Sequence, residues 1–199
     1  MEEFTRAELR LLRSLDTPVK IQKFLDRIAY NHRDTAYSPR LVMRHGRAHC
    51  LEGAAFAAAA LRVNGRPPLI LDLEAVQDTD HVLAVFQEAG AWGAIARSNF
   101  SGLRYRPPVY RSLRELALSY LPSYVNFRGD RTLRTFSKPV NLARFDPQSW
   151  MTRETDIWFI AEYLCEIPHT RLMTPRMERA LTRVDGRDLA AAMWGMTKK

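Results

Sequence analysis

Cysteine is scarce in this chain: Cys50 and Cys165 are the only two among 199 residues. Two thiols cannot build the disulfide framework of a small secreted domain or a four-cysteine zinc site, and a reducing compartment fits that usage. Long apolar runs are missing too. The longest, Gly53 to Leu61, is mostly alanine and falls far short of the roughly 20 residues a membrane span requires, so no membrane partner is expected. From Met1 onward there is no basic flank followed by an apolar segment, which predicts a chain without a secretory signal and a cytoplasmic location. Low-complexity tracts are absent, and no internal repeat recurs at a period of about 20 to 50 residues.

What is present is an ordinary globular composition, 46% hydrophobic and 26% charged, which excludes wholesale disorder, collagen and a coiled coil. The length fits one domain over 1–199, with a core at about 17–140 and a C-terminal helical extension at about 150–199. Lys and Arg number 30 against 22 Asp and Glu, a net charge of +8. That excess can attract nucleic acid, acidic lipids or acidic substrates, but it speaks to association and not to chemistry.

Three dipeptides punctuate the chain alike. Thr17-Pro18, Ser38-Pro39 and Thr174-Pro175 each put a capping hydroxyl before a proline suited to the first helical position. After Thr17, the residues Ile21, Phe24, Leu25 and Ile28 share one helical face, which predicts a helix running to about His32. The same spacing at Ile157, Ile160, Ala161 and Leu164 predicts a helix capped by Thr152 and stopped by Pro168, with Cys165 as a core residue near its end. Between them the pattern changes. Gly65-Arg66-Pro67-Pro68 ends an alanine-rich helix, and strands are expected at Leu69–Leu73, His81–Phe86 and Trp92–Ala96, the last two forming a hairpin. A short helix at Leu113–Leu121 and a strand at Thr132–Phe136 complete an order of helices, strands and helices, hence an α+β fold.

The most informative stretch is Gly46-Arg47-Ala48-His49-Cys50 running into an alanine-rich helix. A cysteine in the first helical turn meets unpaired amides and the positive end of the helix dipole, both of which favour thiolate over thiol. A nucleophile also needs a base. His81, heading its strand after a polar turn, is the candidate, because a residue immediately preceding a helix, such as His49, is expected to point away from Cys50. His45, His49 and Cys50 do not amount to a metal site, since Gly46 interrupts the helix that would align the two imidazoles and no fourth ligand is evident.

Helix, Gly-x-x-x-Cys at the start of a small-residue helix, a Gly-Pro turn, a strand, a His-initiated strand and a Trp-containing strand together resemble the transglutaminase-like superfamily, the papain-related cysteine enzymes with many bacterial members. The resemblance covers Thr17 to Asn99, roughly 40% of the chain. It implies a papain-like core in which a nucleophile-bearing helix packs on a small antiparallel sheet. It also implies Cys50 as nucleophile and His81 as its histidine, acting on an amide or acyl group as a protease, amidase or acyltransferase without a cofactor. One departure stands out: the family places an aspartate about four residues after the tryptophan to hold the histidine, and that position here is Ala96. Asn99 is the nearest substitute, because an amide oxygen can orient an imidazole.

Arg97, Arg104, Arg106, Arg111 and Arg114 are interleaved with Phe100, Tyr105 and Tyr110, a mixture that binds phosphates and stacks bases in some proteins. No nucleic-acid motif accompanies it. If this loop borders the Cys50 cleft, Arg104 and Arg106, with Trp92 nearby, become substrate contacts that select an acidic protein or peptide. A catalytically inactive scaffold that binds a partner, and a basic nucleic-acid-binding protein, are the alternatives to the enzyme.

Overall fold

The computed structural model describes residues 4–197. Its elements begin with α1 (Arg6–Ser14), α2 (Pro18–Arg27), β1 (Ala29–Tyr30), α3 (Pro39–His45), β2 (Arg47–Ala48) and α4 (Cys50–Val63). The sheet strands follow as β3 (Leu69–Ala75), β4 (His81–Glu88), β5 (Ala91–Ile95) and β6 (Arg106–Tyr110), then α5 (Leu113–Leu118), β7 (Leu133–Ser137) and β8 (Val140–Asn141). The chain finishes with α6 (Trp158–Glu166), β9 (His169–Arg171), α7 (Pro175–Arg179) and α8 (Gly186–Met193). The fold is therefore α+β. Among the described residues no helix is long and apolar enough to cross a membrane.

All three Thr/Ser-Pro pairs open helices, their hydroxyls accepting from Lys20, Leu41 and Met177 amides. The antiparallel sheet runs β6-β5-β4-β3-β7-β9, with β8 also on β3. Ala89 and Gly90 both take positive φ, 50° and 78°, so the β4–β5 hairpin closes in a two-residue turn that matches the strand twist. Residues 81–86 are buried throughout, because both faces of β4 are covered. Ala84 and Phe86 pack under α1 to α4, whereas Leu83 and Val85 pack with Leu116, Tyr120 and Tyr124.

Helix α4 is the axis of the helical layer. From Leu51 to Leu61 every side chain is buried, and alanine makes that tolerable, since a narrow helix can be surrounded on all sides. Gly53 is required by the packing: a Cβ there would lie 2.5 Å from Arg97 Cβ, well inside van der Waals contact.

Several expectations are corrected. Helix α2 stops at Arg27, not near His32, because Ala29 and Tyr30 leave the helix to pair in parallel with Arg47 and Ala48. Thr152 does not cap α6; it is buried, its amide bonded to Ser149, and the N-cap is Ile157. Cys165 is exposed, since Ile157, Ile160 and Leu164 face the core and Cys165 lies about 100° further round the helix than Leu164. The region after 150 is not purely helical, for β9 supplies an outer strand of the sheet.

Candidate active site

Gly46, at φ +60°, ends α3 in a left-handed turn that leads the chain directly into β2. The Ala29 and Asn31 amides bond to Gly46 and Ala48 carbonyls at 3.0 and 3.2 Å, setting Tyr30 and Asn31 alongside the start of α4. Cys50 is the first residue of that helix and His49 its N-cap, in extended backbone. One carboxylate holds the corner together. Fully buried Glu52 accepts from Asn31 Nδ2 (3.0 Å), Thr35 Oγ1 (2.7 Å) and the amides of Tyr37 and His49 (both 2.9 Å). Four donors on one carboxylate offset the cost of burying it.

The result is a cleft of about 570 Å³ whose walls include Tyr30, His49, Cys50, Asp80, His81 and Leu103. His81 is buried at the head of β4, and its Nε2 donates to the Leu103 carbonyl at 2.9 Å. Because a carbonyl only accepts, that bond puts the proton on Nε2 and leaves Nδ1 for the sulfur. His49 is fixed in the same way, Nε2 donating to the Thr35 carbonyl at 2.6 Å. The Cys50 sulfur also lies 3.9 Å from the Asp80 carbonyl oxygen.

Two imidazoles therefore share one thiol. Burial alone would raise the Cys50 pKa, but hydrogen bonds and charge from His49 and His81 overcome it and hold the thiol well below its ordinary value. For His49, burial disfavours the cation, yet its bond to Cys50 and the charges of Cys50 and Glu52 push its pKa up to about 9. The Tyr30 phenol is pushed up to about 12 by burial and by the Cys50 charge, so it is a neutral donor. Beneath it the buried Arg97 guanidinium lies 5.4 Å from the ring centre.

The structure brings Cys50 and His81 together and separates the other expected residues from them. Asn99 lines the cleft, but its side chain bonds to Thr197 and not to His81; the orienting position is taken by the Leu103 main chain. Arg104 pairs with Asp26. Arg106 lies over the Tyr120 ring at 4.0 Å and bonds Ser119 and the Gly102 carbonyl. Trp92 pairs with Gln87, six residues along β4 from His81, a separation of about 20 Å. None of these three lines the cleft, so they are not contacts for a substrate at Cys50. An acidic substrate loses its support as well, because among the described residues the fixed charges lining the cleft are Arg33, Asp34, Asp78 and Asp80.

His49 is the residue that sequence reasoning passed over. Its ring is turned toward the sulfur by the Thr35 carbonyl, 14 positions away, which no spacing rule reveals; its place directly before Cys50 was the one available signal. Leu103 carried no signal, since any residue offers a carbonyl. Compared with known proteins, the chain matches no family model and no curated sequence, so the site is read from its own geometry.

Proposed function

We propose that this protein is a transglutaminase-like cysteine enzyme acting on an amide or related acyl group, with Cys50 as nucleophile and His81 as acid and base. The observation that carries the reading is one thiol at a helix N-terminus flanked by two histidines, each anchored through Nε2 to a main-chain carbonyl. That arrangement stabilises a thiolate and supplies a proton beside it.

The Cys50 thiol first gives its proton to His81 Nδ1; the thiolate then attacks the carbonyl carbon, forming a C–S bond and moving the carbonyl π electrons onto oxygen. The Cys50 amide and the Tyr30 hydroxyl are the donors available to that oxyanion. Collapse re-forms the carbonyl and breaks the C–N bond as His81 gives its Nδ1 proton to the departing amine. Water or an acceptor amine then loses a proton to Nδ1 and attacks the thioester, and the C–S electron pair returns to sulfur. His49, with its pKa near 9, keeps its charge at neutral pH and holds the thiolate without shuttling the proton. The Leu103 carbonyl takes the orienting part that an aspartate plays in the family.

The test is brief iodoacetamide treatment of the folded protein at pH 7, followed by mass spectrometry. Fast, selective labelling of Cys50 that is lost in His81→Ala supports the reading. Labelling of Cys50 no faster than an ordinary thiol overturns it.

A further inference from the structure

The segment after α8 turns back into the cleft. Met196 lines it together with Cys50 and His81, and the next residue is held by one side chain at three atoms. Asn99 Nδ2 donates to the Thr197 carbonyl at 3.0 Å, while Asn99 Oδ1 accepts from the Thr197 amide at 3.0 Å and from its hydroxyl at 3.2 Å. The same hydroxyl lies 2.9 Å from His32 Nε2. Just upstream, the Ser101 amide and hydroxyl bond to the carbonyls of Ala192 and Ala191 at 2.9 and 2.5 Å. The end of α8 and the segment after it are thus both docked on the 99–101 loop.

Donating to the carbonyl and accepting from the amide of a single residue is how a β-strand residue is paired by its neighbour. An asparagine side chain can reproduce the pattern because it carries a donor and an acceptor side by side. Two of the three bonds read main chain; the third is to the Thr197 hydroxyl. The contact is also weak enough to exchange, each such bond being worth about five-fold in an equilibrium. Gly195 gives the segment a hinge: its φ is +74°, and nothing lies within 4 Å of where a Cβ would stand. Thr197 itself is exposed.

We propose that the 195–197 segment is a displaceable wall of the Cys50 cleft, seated through the Thr197 main chain on Asn99, and that Asn99 grips the main chain of any polypeptide that replaces it. The second half rests on the enzymatic reading above, in that a replacing polypeptide is the substrate. The first half does not.

Two measurements separate them. In the first, a chain ending at Trp194 and carrying Cys50→Ser is titrated into a fluorescein-labelled Gly-Met-Thr-Lys-Lys peptide, the sequence of residues 195–199, and read by anisotropy. The shortened chain should bind at least about ten-fold more tightly than the full chain with Cys50→Ser, and Asn99→Ala in the shortened chain should remove about 25-fold, the value of its two paired main-chain hydrogen bonds. In the second, Cys50 in the full chain is labelled with a peptidyl chloromethyl ketone. Thr197→Pro, which removes the amide proton Asn99 accepts, should speed labelling about five-fold, whereas Thr197→Ser, which keeps both the main chain and the hydroxyl, should leave it near the parent rate. Equal peptide binding by the full and shortened chains, no effect of Asn99→Ala, or equal labelling of Thr197→Pro and Thr197→Ser overturns the proposal. Iodoacetamide reports separately on the enzyme: Asn99-dependent peptide binding with an unreactive Cys50 refutes the enzymatic reading and leaves the seat standing, and a reactive Cys50 without that binding does the reverse.

Discussion

The two cysteines of this protein sit at opposite ends of two helices, and their surroundings are opposite as well. Cys50 opens α4 at the positive end of the helix dipole, with an imidazole on either side. Cys165 is the next-to-last residue of α6, where burial and the charges of Asp72, Asp80, Glu74 and Glu166 raise its thiol. The same residue type is thus pushed toward the thiolate at one site and toward the protonated thiol at the other. Exposure does not explain the difference, because Cys165 is the more exposed of the two. The sign of the local field does.

The largest expected effect is therefore the ratio of the two alkylation rates. At pH 7 iodoacetamide should modify Cys50 about ten- to a hundred-fold faster than Cys165, the gain in thiolate fraction being offset in part by the lower nucleophilicity of a more acidic thiol. Peptide mass spectrometry after a short exposure measures it, and equal rates would dissolve the comparison.

Removing the imidazoles sharpens it. A thiol whose folded pKa is depressed reacts above that pKa and loses reactivity only as pH falls through it. Wild-type Cys50 labelling should thus persist to lower pH than that of an ordinary thiol, and His49→Ala or His81→Ala should move the inflection upward toward the ordinary thiol value of about 8.5. In turnover, once a substrate is in hand, His81→Ala should cost about a hundred-fold or more, as expected for loss of a general acid and base. A rate–pH profile unchanged in both variants would show that the helix end alone sets the reactivity.

The frame around Cys50 gives smaller effects, read as stability. Glu52→Gln sets an amide donor against four existing donors and should cost about 2 kcal/mol. Gly53→Ala forces a methyl onto Arg97 and should cost about 1–3 kcal/mol. Urea unfolding monitored by circular dichroism measures both. At the other thiol, Cys165→Ser should change stability by less than about 0.5 kcal/mol, because the side chain is exposed and packs against little; a larger loss would mean that α6 depends on it.

A residue's part is legible in sequence where it is played among near neighbours. Thr17, Ser38 and Thr174 cap helices because a hydroxyl reaches an amide three positions on, and Cys50 sits in a first turn because alanines follow it. A part played with a remote partner or with main chain is not legible there. Asn99 was expected to orient His81, yet Leu103 does so with a carbonyl, while Asn99 holds Thr197 on a segment 98 positions away. Arg104 and Arg106 read as ligand contacts because their alternation is visible in sequence; their partners Asp26, Gly102 and Ser119 are not marked as such. Apolar spacing alone places Cys165 in the core, because it tolerates a neighbour one step round the helix, and only packing decides which side of that boundary the residue takes.

By itself, the sequence determined the α+β order, the three helix starts at Thr17, Ser38 and Thr174 and the placing of a cysteine and a histidine at the heads of a helix and a strand, since all of these follow from local capping, propensity and periodicity. Tertiary structure alone decided that the two heads meet, that His49 joins them, that a carbonyl completes the alignment of His81 and that Met196 reaches the same cleft. Those contacts depend on the register β3 and β4 adopt and on how closely Gly53 lets the chain at Arg97 approach α4. Such distances are settled by packing summed over the whole sheet and its helices, and no short stretch of sequence contains them.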